Sequence, residues 1–172
     1  MKGKKEDEVI KFAVLRIGEE DFGVEIKRVV EIIKTQRIYS LPELPEFLSG
    51  LITVRGEVIP LLDLRRRFGI SSSIKKERII IVRCDSEKIG LLVDEIKEII
   101  SLTDREIIGP PSIFKGLKRK YLTGLGKKDD RIIILLNIDD LLTSEEKIIL
   151  KESGPHVLDS EFDEDARSGK TT

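Results

Sequence analysis

The sequence predicts a mainly β fold: two small barrels of about five short strands each, with short helices between them and a helix near the C-terminal end. Three observations carry this expectation. Apolar runs are short and separated by turn chemistry, not by helix-length amphipathic segments. Phe22 to Ile33 reads FGVEIKRVVEII and Ile89 to Ile100 reads IGLLVDEIKEII, so Gly, Glu and a terminal Ile-Ile coincide. Later in each half an apolar strand ends in an acidic or amide residue ahead of a short helix, PLLDLRRRF and then LLNIDDLL. The chain therefore reads as a diverged duplication of one β-rich unit. One unit would be marginal alone, whereas two can share a core, and units of this size close into barrels that leave no exposed edge.

In chain order, Val9 to Ile17 is a strand, Gly18 to Asp21 a turn and Phe22 to Ile26 its hairpin partner. Lys27 to Ile33 reads as one helical turn leading into a strand. Strand propensity continues over Lys34 to Leu41 until Pro42 and Pro45 break it. Pro45 suits the first turn of a short helix over Glu46 to Ser49, closed by Gly50. Leu51 to Val54 and Val58 to Leu62, joined through Arg55-Gly56-Glu57, form a hairpin in which Gly56 supplies the positive φ. Pro60 has no N–H to donate, so the second strand is expected at an edge or with a bulge. Asp63 is placed to cap a helix over Leu64 to Phe68, with Gly69 at its end. Ser71-Ser72-Ser73 opens a loop.

In the second half, Arg78 to Cys84 turns through Asp85 to Lys88 into Ile89 to Val93. Asp94 to Ile100 follows, then a loop with Pro110 and Pro111, a mobile stretch from Gly116 to Lys120, and YLTGLG from Tyr121. Lys127 to Asp130 is a polar turn. Arg131 to Ile138 is almost wholly apolar, which fits burial on both faces. Asp139 is expected to cap a turn, and Thr143 with Glu146 makes a capping box for the last helix. The body spans 9–150 as two intertwined barrels divided near 70–77, and the polar segments 1–8 and 153–172 are expected to be disordered.

With 172 residues, 40% hydrophobic and 37% charged, the chain can bury an independent core. A net charge of −1 gives no general attraction to nucleic acid or to an anionic membrane. MKGKKEDE has no apolar segment and is not a signal peptide, and no run approaches the ~20 residues of a membrane span. Cys84 is the one cysteine, which excludes an internal disulfide and makes the cytoplasm the default compartment. The length leaves no room for a fused receiver domain or a kinase catalytic region.

Catalytic chemistry is poorly represented. His156 is alone in the acidic tail and Cys84 lies at a strand end, so no triad and no Cys/His metal set can be assembled. Ser144 to Lys147 fits a Ser-x-x-Lys pattern, but a helix start explains the same residues. Gly124-Leu125-Gly126 lacks the third glycine and the Lys-Ser/Thr pair of a phosphate loop. Asp139-Asp140 reads as capping rather than cation binding. Arg65, Arg66 and Arg67 read as a solvated helix face, since few aromatics stand nearby for base stacking. No catalytic residue, cofactor or metal is expected. Arg55 differs: it is a cation at a rigid turn between apolar runs, either a solvent-exposed turn residue or one that pairs with Glu31, between Val30 and Ile32, as its candidate carboxylate in a semi-buried groove.

At these residues the sequence resembles the CheW family of chemotaxis adaptors. The resemblance runs from Phe12 to Leu150 and rests on FGVEIKRVVEI, LPELPEFLSGLITVRGEVIPLLDLRRRFG, IGLLVDEI, YLTGLG and LLNIDDLLTSEEK. It implies two five-stranded SH3-like barrels and no enzymatic activity. It also implies a role bridging the cytoplasmic tip of a methyl-accepting receptor to the regulatory domain of the histidine kinase CheA, at membrane-associated arrays. Carried over by position, the receptor groove is Val29, Glu31, Val54, Arg55, Gly56 and Val58. The kinase-facing surface, on the first barrel, is Ile38, Tyr39, Gly50 and Leu51. Where the family usually has Asn two residues before the turn Arg, this chain has Thr53. Two alternatives stay open at this stage: a CheW-like module in surface motility or gene regulation, and a barrel binding oligosaccharide or nucleic acid, which the charge and scarce aromatics disfavour.

Overall fold

The computed structural model describes residues 8–71, 77–110 and 119–152. The expected tails with His156, most of the Ser71-Ser72-Ser73 loop, Pro111 and most of the stretch from Gly116 lie outside the described residues. The strands are β1 (Val9–Ile17), β2 (Glu20–Glu25), β3 (Val29–Lys34), β4 (Gly50–Val54), β5 (Glu57–Asp63), β6 (Arg78–Cys84), β7 (Glu87–Val93), β8 (Glu95–Thr103), β9 (Ile107–Ile108), β10 (Leu122–Lys128) and β11 (Arg131–Leu136). Helix α1 (Leu64–Phe68) follows β5, and α2 covers 144–152. The chain is mainly β, as expected.

The first sheet has the order β8-β1-β2-β11-β10-β9 and the second β3-β6-β7-β5-β4. Apart from the two-residue β9, these are one order written twice. The parallel pairings make the duplication explicit: Leu135 lies opposite Gly23 and Leu61 opposite Gly90, the glycines shared by the two repeat segments. Each sheet curls into an SH3-like barrel that joins the hairpin of one half, β1–β2 or β6–β7, to the later strands of the other half. β3 follows the first hairpin yet pairs with β6, and β8 follows the second yet pairs with β1.

The strands most continuous in sequence are buried on both faces, one toward their own barrel and one toward the neighbour. The barrel interiors are small: Phe12, Val14, Leu102, Ile133 and Leu135 in the first, and Ile52, Ile59, Leu61, Ile79, Ile81 and Leu92 in the second. The seam between them is larger, with Leu15, Ile17, Phe22 and Val24 against Ile80, Val82, Leu91 and Val93. From α1, Phe68 stacks on Phe22 and meets Tyr121, with ring centroids at 5.4 and 5.3 Å. At roughly 1.5–3 kcal/mol for each fully buried Ile, Leu or Phe, the seam outweighs either interior.

Helix α1 forms as expected. The Asp63 carboxylate accepts from the Arg65 N–H at 2.9 Å, and Gly69 ends the helix at φ 67. The Thr143–Glu146 box is present in both directions, at 2.8 and 3.1 Å. Other expectations fail locally. Thr35 to Leu41 is no strand: the Thr35 hydroxyl donates to the Glu77 carbonyl and the Gln36 amide to the Thr53 carbonyl, which leaves one bridge, Tyr39–Leu51. Residues 46–49 make turns rather than a helix, because the Ser49 N–H is already taken by the Leu61 carbonyl at 2.8 Å. Gly50 begins β4, and an added Cβ there would stand 2.4 Å from Ile38 Cγ2. Strand β5 is internal, not an edge. Pro60 fits because its partner Leu51 turns its own N–H and carbonyl outward to Tyr39, so β4 asks for no donor from Pro60. Pairing with β7 begins only at Leu61. Lys127 and Lys128 belong to β10, leaving Asp129-Asp130 as the turn.

Candidate functional site

Arg55 and Gly56 alone make the β4–β5 turn, at φ 51 and 78. Positive φ at both central residues is the turn whose twist matches a tight hairpin. Glu57 already pairs with Val54, so the link is one residue shorter than the sequence suggested. On the opposite edge of the sheet, β3 carries an irregularity: Val29 faces Val82 and Glu31 faces Ile81, with Val30 the extra residue. Such a bulge re-aims the side chains beside it. Glu31 meets Arg55 in a bidentate contact, Nη1 to Oε2 at 2.7 Å and Nη2 to Oε1 at 2.8 Å, which ties the two edges of the second barrel together. The semi-buried version of this pair is not found, since the Arg55 side chain is 78% exposed. A pair so exposed contributes at most about 1 kcal/mol.

The other groove candidates divide by face. Val54 shares the interior face with Ile52 and packs there beside Ile33 and Ile38. Val58 alternates with the interior residues Ile59 and Leu61 and so lies on the outer face, while Val29 packs against the seam. Val54 therefore supports the rim rather than lining its outside. The exposed apolar residues flanking Glu31 are Val30 and Ile32. Sequence reasoning passed over them, although an Ile-Val run interrupted by one carboxylate was the available signal.

The second candidate surface, expected on the first barrel, lies on the second, along β4, because Tyr39 bridges to Leu51 there. Tyr39 and Leu51 exchange both backbone hydrogen bonds at 2.8 Å. Gly50 and Leu51 are buried and Ile38 packs against the barrel interior, so these three hold the segment in place and Tyr39, half-buried, is the side chain left at the surface. The Arg37 guanidinium covers the Tyr39 ring at 4.4 Å, a geometry typical of cation–π contact.

The duplication supplies an internal comparison. In the first barrel Glu98, equivalent to Glu31, accepts from Arg131 on the β10–β11 hairpin. Arg131 is also held by Asp21 at 3.3 Å, and these two carboxylates, Glu98 foremost, raise its pKa. Arg55 has one carboxylate among the described residues and is twice as exposed. Of the two hairpin arginines, that of the second barrel is the more exposed.

The remaining chemistry-bearing residues have structural roles. Cys84 is buried with its thiol toward the Ile138 carbonyl, and burial pushes its pKa up to about 11. Lys147 pairs with Asp85 at 3.1 Å; burial lowers its pKa but the Asp85 contact outweighs this and raises it, the wrong direction for a base serving Ser144. Arg65 and Arg67 are not a solvated face: Arg65 is enclosed by Asp63, Glu77 and Asp94, and Arg67 by Glu146. Asp139 does not cap its own turn and instead receives Arg28 and the Asp85 N–H. Gly124 and Gly126 lie in β10, where a Cβ would stand 2.4 Å from the Ile108 carbonyl oxygen and 2.5 Å from Leu102 respectively.

A family model described as the CheW-like domain matches residues 11–146. The chain belongs to the CheW-like family. It is 31% identical over 141 residues to the chemotaxis protein CheW of Klebsiella aerogenes, covering 81% of this chain and 85% of that one. To the chemotaxis protein CheW of Thermotoga maritima it is 32% identical over 150 residues, 86% and 93% of the two chains. The solved structure of the scaffolding protein TtCheW from Thermoanaerobacter tengcongensis superposes with a TM-score of 0.74 at 36% identity, covering 81% of this chain and 97% of that one. CheW-like membership places the chain in a family of scaffolds and adaptors, and it accounts for the paired SH3-like barrels.

Proposed function

We propose that this chain is a non-catalytic adaptor that couples the cytoplasmic tip of a methyl-accepting chemotaxis receptor to the regulatory domain of the histidine kinase CheA. It would work in the cytoplasm, held at receptor arrays through its partners. The receptor groove is formed by Val29, Glu31, Arg55, Gly56 and Val58, with Val54 behind it. The kinase edge is Tyr39, supported by Ile38, Gly50 and Leu51. The observation that carries this reading is the oriented, exposed cation. Arg55 is held in a fixed orientation by Glu31 yet stays largely exposed, and the residues flanking Glu31 on β3, Val30 and Ile32, are exposed as well.

An oriented cation beside apolar side chains suits the face of an amphipathic helix laid into a groove. Tyr39 suits an anchor in a barrel-to-barrel contact, since aromatics are enriched among the residues that dominate interfaces. Both surfaces belong to one barrel, so the partners would be held at a fixed spacing and the coupling needs no chemistry. The test is binding of a receptor hairpin fragment and of a CheA regulatory domain to wild type, Arg55→Asp and Tyr39→Ala. Arg55→Asp should lose the receptor and keep the kinase, and Tyr39→Ala the reverse. A folded Arg55→Asp protein that binds the receptor fragment normally would overturn the groove.

A further inference from the structure

The chain passes between barrels twice, over Ile26–Arg28 ahead of β3 and at Asp94 ahead of β8. Each passage is pinned by a carboxylate, an arginine and the N–H of a hairpin turn. At the second, the buried Asp94 carboxylate accepts from the Gly18 N–H at 2.7 Å and from Arg65 Nη1 at 3.3 Å. At the first, acid and base exchange places. Arg28 lies in the passage and donates to both Asp139 oxygens, at 2.9 and 2.6 Å, while Asp139 also accepts from the Asp85 N–H at 3.1 Å. Gly18 and Asp85 are the same turn position in the two equivalent hairpins. A device that recurs with its charges inverted is a requirement of the passage, not an accident of one surface.

We infer that Arg28 and Asp139 are a positioning pair for the groove, holding the start of β3 against the turn that follows β11. The inference rests on the reading of Val29 and Glu31 as groove residues. Arg28 immediately precedes Val29, and its Nη1 also reaches the Arg83 carbonyl at 3.4 Å, so one guanidinium touches both barrels. A bidentate guanidinium–carboxylate contact fixes orientation as well as distance. The groove wall is thereby set from the other barrel, by residues that line no part of it.

The experiment is titration calorimetry of a receptor hairpin fragment and of a CheA regulatory domain with wild type, Arg28→Met, Asp139→Asn and the double variant, with Arg55→Asp as reference. Each single variant should weaken receptor binding by about five- to tenfold, and the double should be no weaker than the worse single. Affinity for the kinase domain should stay within about twofold. Hydrogen exchange of β3 amides should accelerate in every variant while β7 amides hold. Unchanged receptor affinity in the singles, with Arg55→Asp still defective, overturns the positioning role and leaves the groove intact. Equal loss toward both partners, or additive losses, overturns it as well. If wild type binds no receptor fragment, the groove reading is what fails; β3 exchange then decides the pair, acceleration supporting its hold on β3 and no change overturning it.

Discussion

Gly23 and Gly90 occupy one station in two sheets. Each lies opposite a leucine of a parallel neighbour, and an added Cβ would stand 2.9 Å from Leu135 Cδ2 at Gly23 and 3.1 Å from Leu61 Cδ1 at Gly90. Those leucines fill the two barrel interiors. Gly23→Ala and Gly90→Ala should therefore each destabilise by about 1–3 kcal/mol, the usual range for overpacking a filled core. Urea unfolding checks this. Both variants should unfold in a single transition, because the seam joins the barrels; separate transitions would contradict the shared core.

The Glu31–Arg55 contact should matter little for stability. Arg55→Ala and Glu31→Ala should each shift the unfolding free energy by less than about 1 kcal/mol, and less again at high salt. A loss of roughly 3–5 kcal/mol would show that the pair is desolvated after all.

Acid should unfold the protein through specific carboxylates. The Arg28 guanidinium, with the Asp85 N–H and Lys147, holds Asp139 below its ordinary 3.8. For Glu146 burial pushes upward, but hydrogen bonds from Arg67 and the Thr143 N–H outweigh it and bring the group below 4.5. A carboxyl depressed in the folded state lends stability above its unfolded pKa and loses it as pH falls through the folded value. The melting temperature should thus hold from neutral pH to about 5 and decline below 4.5 and 3.8 in turn. Arg28→Met should flatten the lower part of that decline; an unchanged acid limb would separate Asp139 from it.

Cys84 should be inert in the native state. With its pKa near 11 and its side chain buried, it should fail to react with a disulfide reagent at pH 8 and react fully in denaturant. Rapid labelling of the folded protein would contradict the packing of β6 against the turn at Ile138.

Much of this architecture is readable in the residues, and the reasons differ by element. The Asp63 and Thr143 caps, the first hairpin and the duplication are local or periodic, so sequence reveals them directly. Thr35 to Leu41 misleads because its strand propensity loses to side chains that bond distant carbonyls at Glu77 and Thr53. Pro60 misleads because the outward turn of Leu51 excuses a proline in an internal strand. At the site, Glu31 and Arg55 could be paired as an isolated carboxylate and an isolated cation. How exposed they are could not be read, since it depends on how far the β4–β5 tip projects. Arg28 with Asp139, 111 residues apart, left no sequence signal at all.

The exchange of hairpins between the two halves has a consequence for how the molecule can be taken apart. A nick between α1 and β6 would yield two pieces, neither of which owns a complete barrel. Each piece alone would be an unfolded chain with an apolar seam facing water. Co-expressed, they would be obligate complements and assemble without a covalent link. By the same logic, two intact copies at high concentration could trade halves and form a dimer that preserves every contact described above.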